Sequence, residues 1–287
     1  MKRFNLGLIG HPLAHTISPA LHLAALAAAG LEGRYERYPV RPLPEGRPEL
    51  ERLMTALRGG ELDGLNITIP HKRKVIDFLD RLSPAAKAIG AVNTISIREA
   101  TLTGDNTDWE GFRRDLHRVF NLPPGAALIL GAGGAARAVA YALLADGWQV
   151  RVAARRGEQA GTLARALPGI EHIPGMPPDE DLIAAVKPSL IVNATPLGMD
   201  PHLNTSPWPE RLPIPSGCAV YDLVYNPRET VFLRSARTQG APAAGGLGML
   251  VEQAALAFEI WTGKYPPVED LRKAAEDALL AMRKEKF

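Results

Sequence analysis

ALILGAGGAARAVAYALL, from Ala127 to Leu144, is the stretch whose reading decides the fold. Its apolar run, Ala127 to Leu130, reads as a buried strand. Gly131, Gly133 and Ala136 follow at once in the spacing G-x-G-x-x-A, and an Ala-rich helical pattern comes after them. Strand, glycine turn and helix start in that order make the phosphate corner of a dinucleotide-binding βαβ unit. Gly131 permits the tight turn, Gly133 lets backbone N–H groups approach a pyrophosphate, and Ala136 lets the helix pack on the strand. The loop Gly131, Ala132, Gly133, Gly134, Ala135, Ala136 then faces the anion with the positive end of the helix dipole. The same glycines also fit a tight turn in an ordinary α/β protein. The strand before them and the helix after them favour the nucleotide reading. More than a hundred residues precede the loop, so a separate domain is expected first, carrying the substrate.

The next strand says which dinucleotide. It reads WQVRVAARRGEQA, with the strand at Gln149 to Ala153. A site for NAD usually places an acid at this strand end to bond the ribose 2′-hydroxyl. Ala154, Arg155 and Arg156 stand there instead. A carboxylate repels a 2′-phosphate, whereas guanidinium groups bind it with charge-assisted, often bidentate hydrogen bonds. NADP(H) is therefore favoured over NAD. The plainer alternative is that both arginines are solvated surface charges.

Composition narrows the class. The 287 residues suit two domains and an ample core. A hydrophobic content of 46% with 22% charged residues is ordinary for a globular chain. The net charge of +2 argues against a dedicated nucleic-acid surface. A single cysteine, Cys218 in CAVYDLV, excludes an intrachain disulfide and fits a reducing cytoplasm. Cys218 reads more simply as a small core residue than as a nucleophile. No apolar stretch is long enough for a membrane span, so no membrane partner is expected. The N-terminal MKRFNLGLIGHPLAH is basic, but His11 and Pro12 break its apolar run, and it reads as a first strand rather than a signal peptide. His11, His15, His22, His71, His117, His172 and His202 form no pattern such as H-E-x-x-H, so no metal is expected.

Strand-like and helical runs alternate along the chain. Strands are expected at Phe4 to Ile9, Tyr35 to Val40, Leu65 to Ile69 and Ala91 to Ile97, with a partner near Leu102. Helices are expected at Pro19 to Ala29, capped by Ser18, at Glu49 to Leu57, at His71 to Leu82 and at Asp108 to Phe120. LPPG, Leu122 to Gly125, reads as a linker. Further strands are expected at Ile170 to Ile173, Leu190 to Asn193 and Ala219 to Leu223, and final helices at Met249 to Thr262 and Val268 to Lys284. The fold class is α/β in two domains. Residues 1–107 with 245–287 make a mostly parallel α/β substrate domain, 108–122 a connecting helix, and 123–244 the nucleotide domain. The C-terminal helices return to the first domain.

Several polar residues fall at strand-to-helix junctions, where open α/β sheets bind ligands. In HTIS, the hydroxyls of Thr16 and Ser18 with nearby helix N–H groups suit a small carboxylate; plain capping by Ser18 does not exclude that role. In NITIPHK, Asn66 and Thr68 share one strand face. Lys72 opens the following helix, where the dipole disfavours a cation, which suggests that it serves another purpose. A lone lysine is more commonly an exposed solubilising residue, a description that suits Arg73 and Lys74 better. GAVNT places Asn93 near a strand end. GDNTD places Asp108 at a helix start, where capping alone explains it. NATPLGM (Asn193 to Met199) and YDLVYNP (Tyr221 to Pro227) follow nucleotide-domain strands. In GLGMLVEQAALAFEIWTG, Gln253 is polar within a helix whose Leu250, Ala254, Ala257, Phe258 and Trp261 make a buried face.

The order HTISP, NITIPHK, GAVNT, GDNTD, GAGGAAR, NATPLGM, YDLVYNP, GMLVEQAA resembles the shikimate dehydrogenase family along nearly the whole chain. Each motif is modest alone; eight in sequence are specific. The resemblance implies a Rossmann NADP-binding domain and the reversible reduction of 3-dehydroshikimate to shikimate by NADPH. It implies Lys72 and Asp108 as the catalytic pair, and Thr16 and Ser18 as the hydroxyls that hold the substrate carboxylate. Thr68, Asn93 and Gln253 match residues that bond ring hydroxyls, and Asp108 holds the adjacent hydroxyl. Tyr225 matches a tyrosine near the carboxylate. Arg155 matches the arginine on the 2′-phosphate, flanked by Ala154 and Arg156. Thr195, Met199, Leu223, Gly246 and Met249 match the nicotinamide end. Thr16 departs from the family's usual Ser; the hydroxyl is kept and a methyl added. Ala154-Arg155-Arg156 departs from Asn-Arg-Thr or Asn-Arg-Ser, losing a side-chain donor and gaining a cation. The resemblance leaves open a quinate/shikimate dehydrogenase with broader substrate or cofactor use, and a catalytically silent sensor, although Lys72, Asp108 and the glycine loop are all retained. One cysteine and no targeting segment lead to an expected cytoplasmic location, and the expected assembly is a monomer or homodimer.

Overall fold

The computed structural model describes residues 2–173 and 175–284. The chain divides into two compact units. One holds the described residues up to Thr107 and again from Val251 onward; the other is Asp108–Leu250.

In the first unit, β1 (Arg3–Gly10), α1 (Ser18–Ala28), β2 (Glu32–Pro39), α2 (Arg47–Arg58) and β3 (Gly64–Ile67) alternate, each helix supplying the crossover that parallel strands require. A 3-10 turn at Lys74–Phe78, the short β4 (Arg81–Leu82), α3 (Pro84–Ile89) and the hairpin β5 (Thr94–Arg98) and β6 (Thr101–Asp105) follow. The sheet order is β2-β1-β3-β5-β6-β4, and β5 alone runs against the rest. The sheet is therefore mostly parallel. Leu50, Leu53, Met54 and Leu57 recur at helical spacing on α2 and are buried with Ile9, Leu65, Ile67 and Ile95 of the strands. Each leucine buried in this way contributes about 1.5–3 kcal/mol.

The second unit runs α4 (Asp108–Val119), β7 (Ala126–Leu130), α5 (Gly134–Ala145), β8 (Gln149–Ala153), α6 (Gly157–Ala166), β9 (Ile170–Ile173), α7 (Glu180–Val186), β10 (Leu190–Asn193), β11 (Ala219–Asp222), α8 (Val231–Thr238) and β12 (Ala243–Gly245). Its sheet is parallel throughout, in the order β12-β11-β10-β7-β8-β9. That is the doubly wound order, and it reverses between β7 and β10, the place where such sheets bind ligands. α4 packs on α5 within this unit. The chain leaves the unit inside α9 (Leu247–Thr262), and α10 (Val268–Lys284) packs on α1 in the first unit.

Three local expectations are corrected. Residues 71–82 are not one helix: a turn runs through Lys72, the 3-10 segment follows, and β4 occupies Arg81–Leu82. The run is held instead by long-range pairing, with Ser83 N–H on the Gly104 carbonyl and Asp80 N–H on that of Leu102. Lys72 therefore does not sit in a helix first turn, and no helix dipole opposes its charge there. Ser18 is not a cap either. It is the first residue of α1, and Ile17 holds the cap position with no side-chain bond. The strand through Asn66 ends at Ile67, so Thr68 lies just beyond it. Among the described residues, no helix is long and apolar enough to cross a membrane, and no cluster of His, Cys, Asp or Glu is arranged to hold a metal ion.

Candidate active site

Asn93 is the hub of the polar cluster in the first unit. It sits at the entrance to β5, only 2% exposed. Its Oδ1 accepts from Thr107 N–H at 2.7 Å and from the Thr94 hydroxyl at 3.0 Å. Its Nδ2 donates to Thr107 Oγ1 at 2.9 Å and to Gln253 Oε1 at 3.3 Å. The Thr107 hydroxyl in turn donates to the Gln253 carbonyl at 3.0 Å, which ties the β6 exit to α9. Asn93 thus joins residues 160 positions apart in sequence.

The backbone brings Lys72 beside this cluster. The Lys72 carbonyl accepts from Val92 N–H at 2.7 Å, immediately beside Asn93. Asn93 N–H donates to the Asp105 carbonyl at 3.0 Å, and its own carbonyl accepts from Ile67 N–H at 2.8 Å. Asp108 follows Thr107 directly and opens α4, with only 4% of its surface exposed. Lys72 is half-buried, whereas Arg73 and Lys74 are exposed. That contrast in burial separates Lys72 from its two basic neighbours, as expected.

Thr16 and Ser18 lie together ahead of α1. Ser18 N–H donates to Thr16 Oγ1 at 3.3 Å, and the two hydroxyls are 3.2 Å apart. The first N–H groups of α1 are already engaged, those of Ala20 and Leu21 by the Ile17 carbonyl, and Pro19 has none, so the two hydroxyls are what this corner offers a carboxylate. Thr68 follows β3, with its N–H on the Ile9 carbonyl at 2.8 Å. Asn66 points into the core: it accepts from the Tyr35 hydroxyl at 2.8 Å and donates to the Asn93 carbonyl at 3.1 Å. Thr107 and this inward role of Asn66 were not read from sequence. Their signal is burial of polar groups at strand ends, which spacing alone does not reveal.

In the second unit the glycine loop has the shape a pyrophosphate needs. Gly131 has φ +114°, and a Cβ there would lie 2.9 Å from the Ala194 carbonyl oxygen. Gly133 is exposed, and a Cβ on it would meet nothing within 4 Å. α5 begins at Gly134, and no side chain caps its first N–H groups. Ala136 is fully buried against the strand. Arg155 and Arg156 are exposed after β8, with Ala154 partly covered between them and the sheet. Thr195, Met199, Leu223 and Tyr225 stand on the loops after β10 and β11. Gly246 precedes α9, and a Cβ there would strike the Leu223 backbone; Met249 is buried on the helix. These features fit a dinucleotide with its diphosphate on α5 and its 2′-phosphate near Arg155 and Arg156. Burial pushes the Cys218 thiol up to about 12, so it is an inert core residue.

Residues 8–95 match the shikimate dehydrogenase substrate binding domain, and residues 246–276 match the shikimate 5′-dehydrogenase C-terminal domain. Over 281 residues the chain is 42% identical to shikimate dehydrogenase (NADP(+)) of Symbiobacterium thermophilum, spanning 96% of this chain and 94% of the relative. The chain belongs to the shikimate dehydrogenase family. Among solved members, shikimate 5-dehydrogenase from Thermus thermophilus in complex with NADP(H) and shikimate superposes with a TM-score of 0.84 at 40% identity, covering 96% of this chain and 99% of that one. Quinate dehydrogenase from Corynebacterium glutamicum in complex with NAD reaches a TM-score of 0.85 at 33% identity, covering 96% and 100%. Folds of this shape therefore occur with either dinucleotide.

Proposed function

We propose that the chain catalyses the reversible, NADPH-dependent reduction of 3-dehydroshikimate to shikimate, in the route to chorismate and the aromatic amino acids. The observation that carries this reading is the Asn93 hub, which ties Thr107 and Gln253 together beside the Lys72 backbone in the unit that the substrate-binding family model matches.

The proposed roles follow from the chemistry of each group. Thr16 and Ser18 hold the substrate carboxylate, with Tyr225 nearby, and Thr68, Asn93 and Gln253 bond its ring hydroxyls. When bound, the dinucleotide supplies hydride to the carbonyl carbon or receives it in reverse. Lys72, as ammonium, stabilises the oxygen as it becomes an alkoxide and gives it a proton. In oxidation, neutral Lys72 takes the hydroxyl proton. Asp108 orients Lys72 and the adjacent hydroxyl. Gly131 to Ala136 receive the diphosphate, Arg155 and Arg156 the 2′-phosphate, and Thr195, Met199, Leu223, Gly246 and Met249 line the nicotinamide end. The first unit is then the substrate domain and the second the cofactor domain. A cytoplasmic monomer or homodimer is the assembly we assign to it, consistent with one inert cysteine.

Lys72→Ala is the test. General acid–base help is worth about 10² to 10⁴ in rate, so kcat should fall at least a hundredfold while the KM for shikimate changes much less. Undiminished turnover in that variant overturns the assignment. Oxidation of quinate as well is a second reading, favoured by the match to the quinate dehydrogenase fold.

A further inference from the structure

Behind the loops assigned to the nicotinamide lies a buried polar tie that the mechanism above does not use. Asn193 and Asp222 are the last residues of β10 and β11, and they stand in register on adjacent parallel strands. Both are fully buried. Asp222 Oδ1 accepts from Asn193 Nδ2 at 2.8 Å and from Val224 N–H at 3.0 Å. Its Oδ2 accepts from the Thr230 hydroxyl at 2.7 Å, and Thr230 Oγ1 caps α8 through Leu233 N–H. Three donors surround one carboxylate, and burial still pushes it up to about 6. A group placed in the core against that penalty calls for an explanation beyond filling space.

The explanation is in what the tie holds. Asn193 Oδ1 accepts from Thr195 N–H at 2.9 Å and from the Thr195 hydroxyl at 2.7 Å, and its Nδ2 reaches the Leu197 carbonyl at 3.2 Å. One carboxamide thus shapes the loop after β10. Val224, fixed by Asp222, accepts from Gly246 N–H at 3.1 Å, and Leu223 N–H donates to the Asn193 carbonyl at 3.0 Å. A side chain on Gly246 would strike the Leu223 backbone, so these segments already touch. Three separate stretches, carrying Thr195, Leu223 and Gly246, therefore share one anchor. Each of these is a position assigned above to the nicotinamide end.

We propose that Asp222, acting with Asn193, is a positioning residue that fixes the nicotinamide-side loops and so sets how the hydride-bearing ring is presented. This rests on the reading of the second unit as the NADP domain. Asp222 is fully buried and bonded to Asn193, Val224 and Thr230, so its effect passes through Thr195, Leu223 and Gly246. The adenosine end, at Arg155 and Arg156 beyond β8, is served by a different strand and is independent of the tie. Misplacement by about 1 Å at a reacting centre is enough to lower a rate a hundredfold.

Two halves of the cofactor separate the possibilities. Asp222→Asn keeps the shape and one acceptor; Asn193→Ala releases the loop directly and serves as a second variant. Both are checked for fold by circular dichroism. Binding of adenosine 2′,5′-bisphosphate and of NADPH is measured by calorimetry and fluorescence, alongside kcat and the KM for shikimate. The expected result is unchanged affinity for the bisphosphate, NADPH affinity weakened about tenfold, and kcat lowered ten- to a hundredfold with the shikimate KM little changed. Asp222→Asn should retain more activity than Asn193→Ala. Parallel loss of both ligands in a folded variant, or unchanged kcat in both variants, overturns the proposal. Failure of the unaltered protein to bind the bisphosphate or NADPH overturns the NADP reading beneath it instead.

Discussion

Two alanine substitutions in the glycine loop should have opposite effects. Gly131 takes φ +114°, where an L side chain is strained, and a Cβ there would lie 2.9 Å from the Ala194 carbonyl oxygen and 3.0 Å from its carbon. Such a backbone conformation costs a non-glycine residue roughly 1–3 kcal/mol. Displacing a backbone neighbour in a packed region adds about 1–3 kcal/mol. Gly131→Ala should thus destabilise the protein by about 2–6 kcal/mol, and at roughly 2–4 °C per kcal/mol the melting temperature should drop by several degrees or more. Gly133 has φ −78° with nothing within 4 Å of a Cβ. Gly133→Ala should leave the fold as stable or gain about 0.4–1 kcal/mol through the unfolded chain. Its methyl occupies the open face that the diphosphate needs, so NADPH affinity should fall at least tenfold, about 1.4 kcal/mol. Calorimetric melting without ligand and fluorescence titration with NADPH read the two effects separately. A Gly133→Ala protein that binds NADPH normally, or a Gly131→Ala protein that melts with the unaltered chain, would refute the reasoning.

Two further outcomes concern the substrate unit. His22 is fully buried and stacked on Tyr35 with ring centroids 4.3 Å apart, and burial lowers its imidazole from 6.5 to about 3. The unfolded chain therefore binds a proton that the native state refuses as pH falls from 6.5 towards 3, so stability present above that window is lost within it. On the order of 3 kcal/mol should disappear between pH 7 and pH 4. His22→Gln should show a shallower decline in urea denaturation; an unchanged decline would show that His22 is not responsible. In the β5–β6 hairpin, Glu99 and Ala100 both have positive φ, 49° and 59°, which L residues adopt at a cost of about 1–2 kcal/mol each. Glu99→Asn with Ala100→Gly should stabilise the chain by about 1 kcal/mol net of the added glycine entropy, and a lowered melting temperature would contradict that.

What the sequence made legible was what local chemistry determines. The strand, glycine turn and helix of residues 126–145 lie where the pattern placed them because periodicity and turn residues agree there. β9 and β10 also begin and end as expected. Local pattern misleads where distant pairing overrides it. Residues 71–82 look helical, yet their backbone is claimed by Leu102, Gly104 and Val92, so they turn and join a sheet. Ser18 looks like a cap, but helical geometry already begins with it and Thr16 supplies the neighbouring oxygen. Glu99 and Ala100 give no sign of a tight turn. Thr107, Asp222 and Thr230 matter through partners brought close only by folding, and no spacing rule points to them.

The central claim is tested most directly by initial rates of shikimate and of quinate oxidation, each with NADP and with NAD. Activity should be confined to shikimate with NADP if Arg155 and Arg156 bind the 2′-phosphate as proposed. Comparable rates with NAD or with quinate would contradict it, and would show that Ala154, Arg155 and Arg156 do not select the cofactor or that Thr16 does not restrict the substrate.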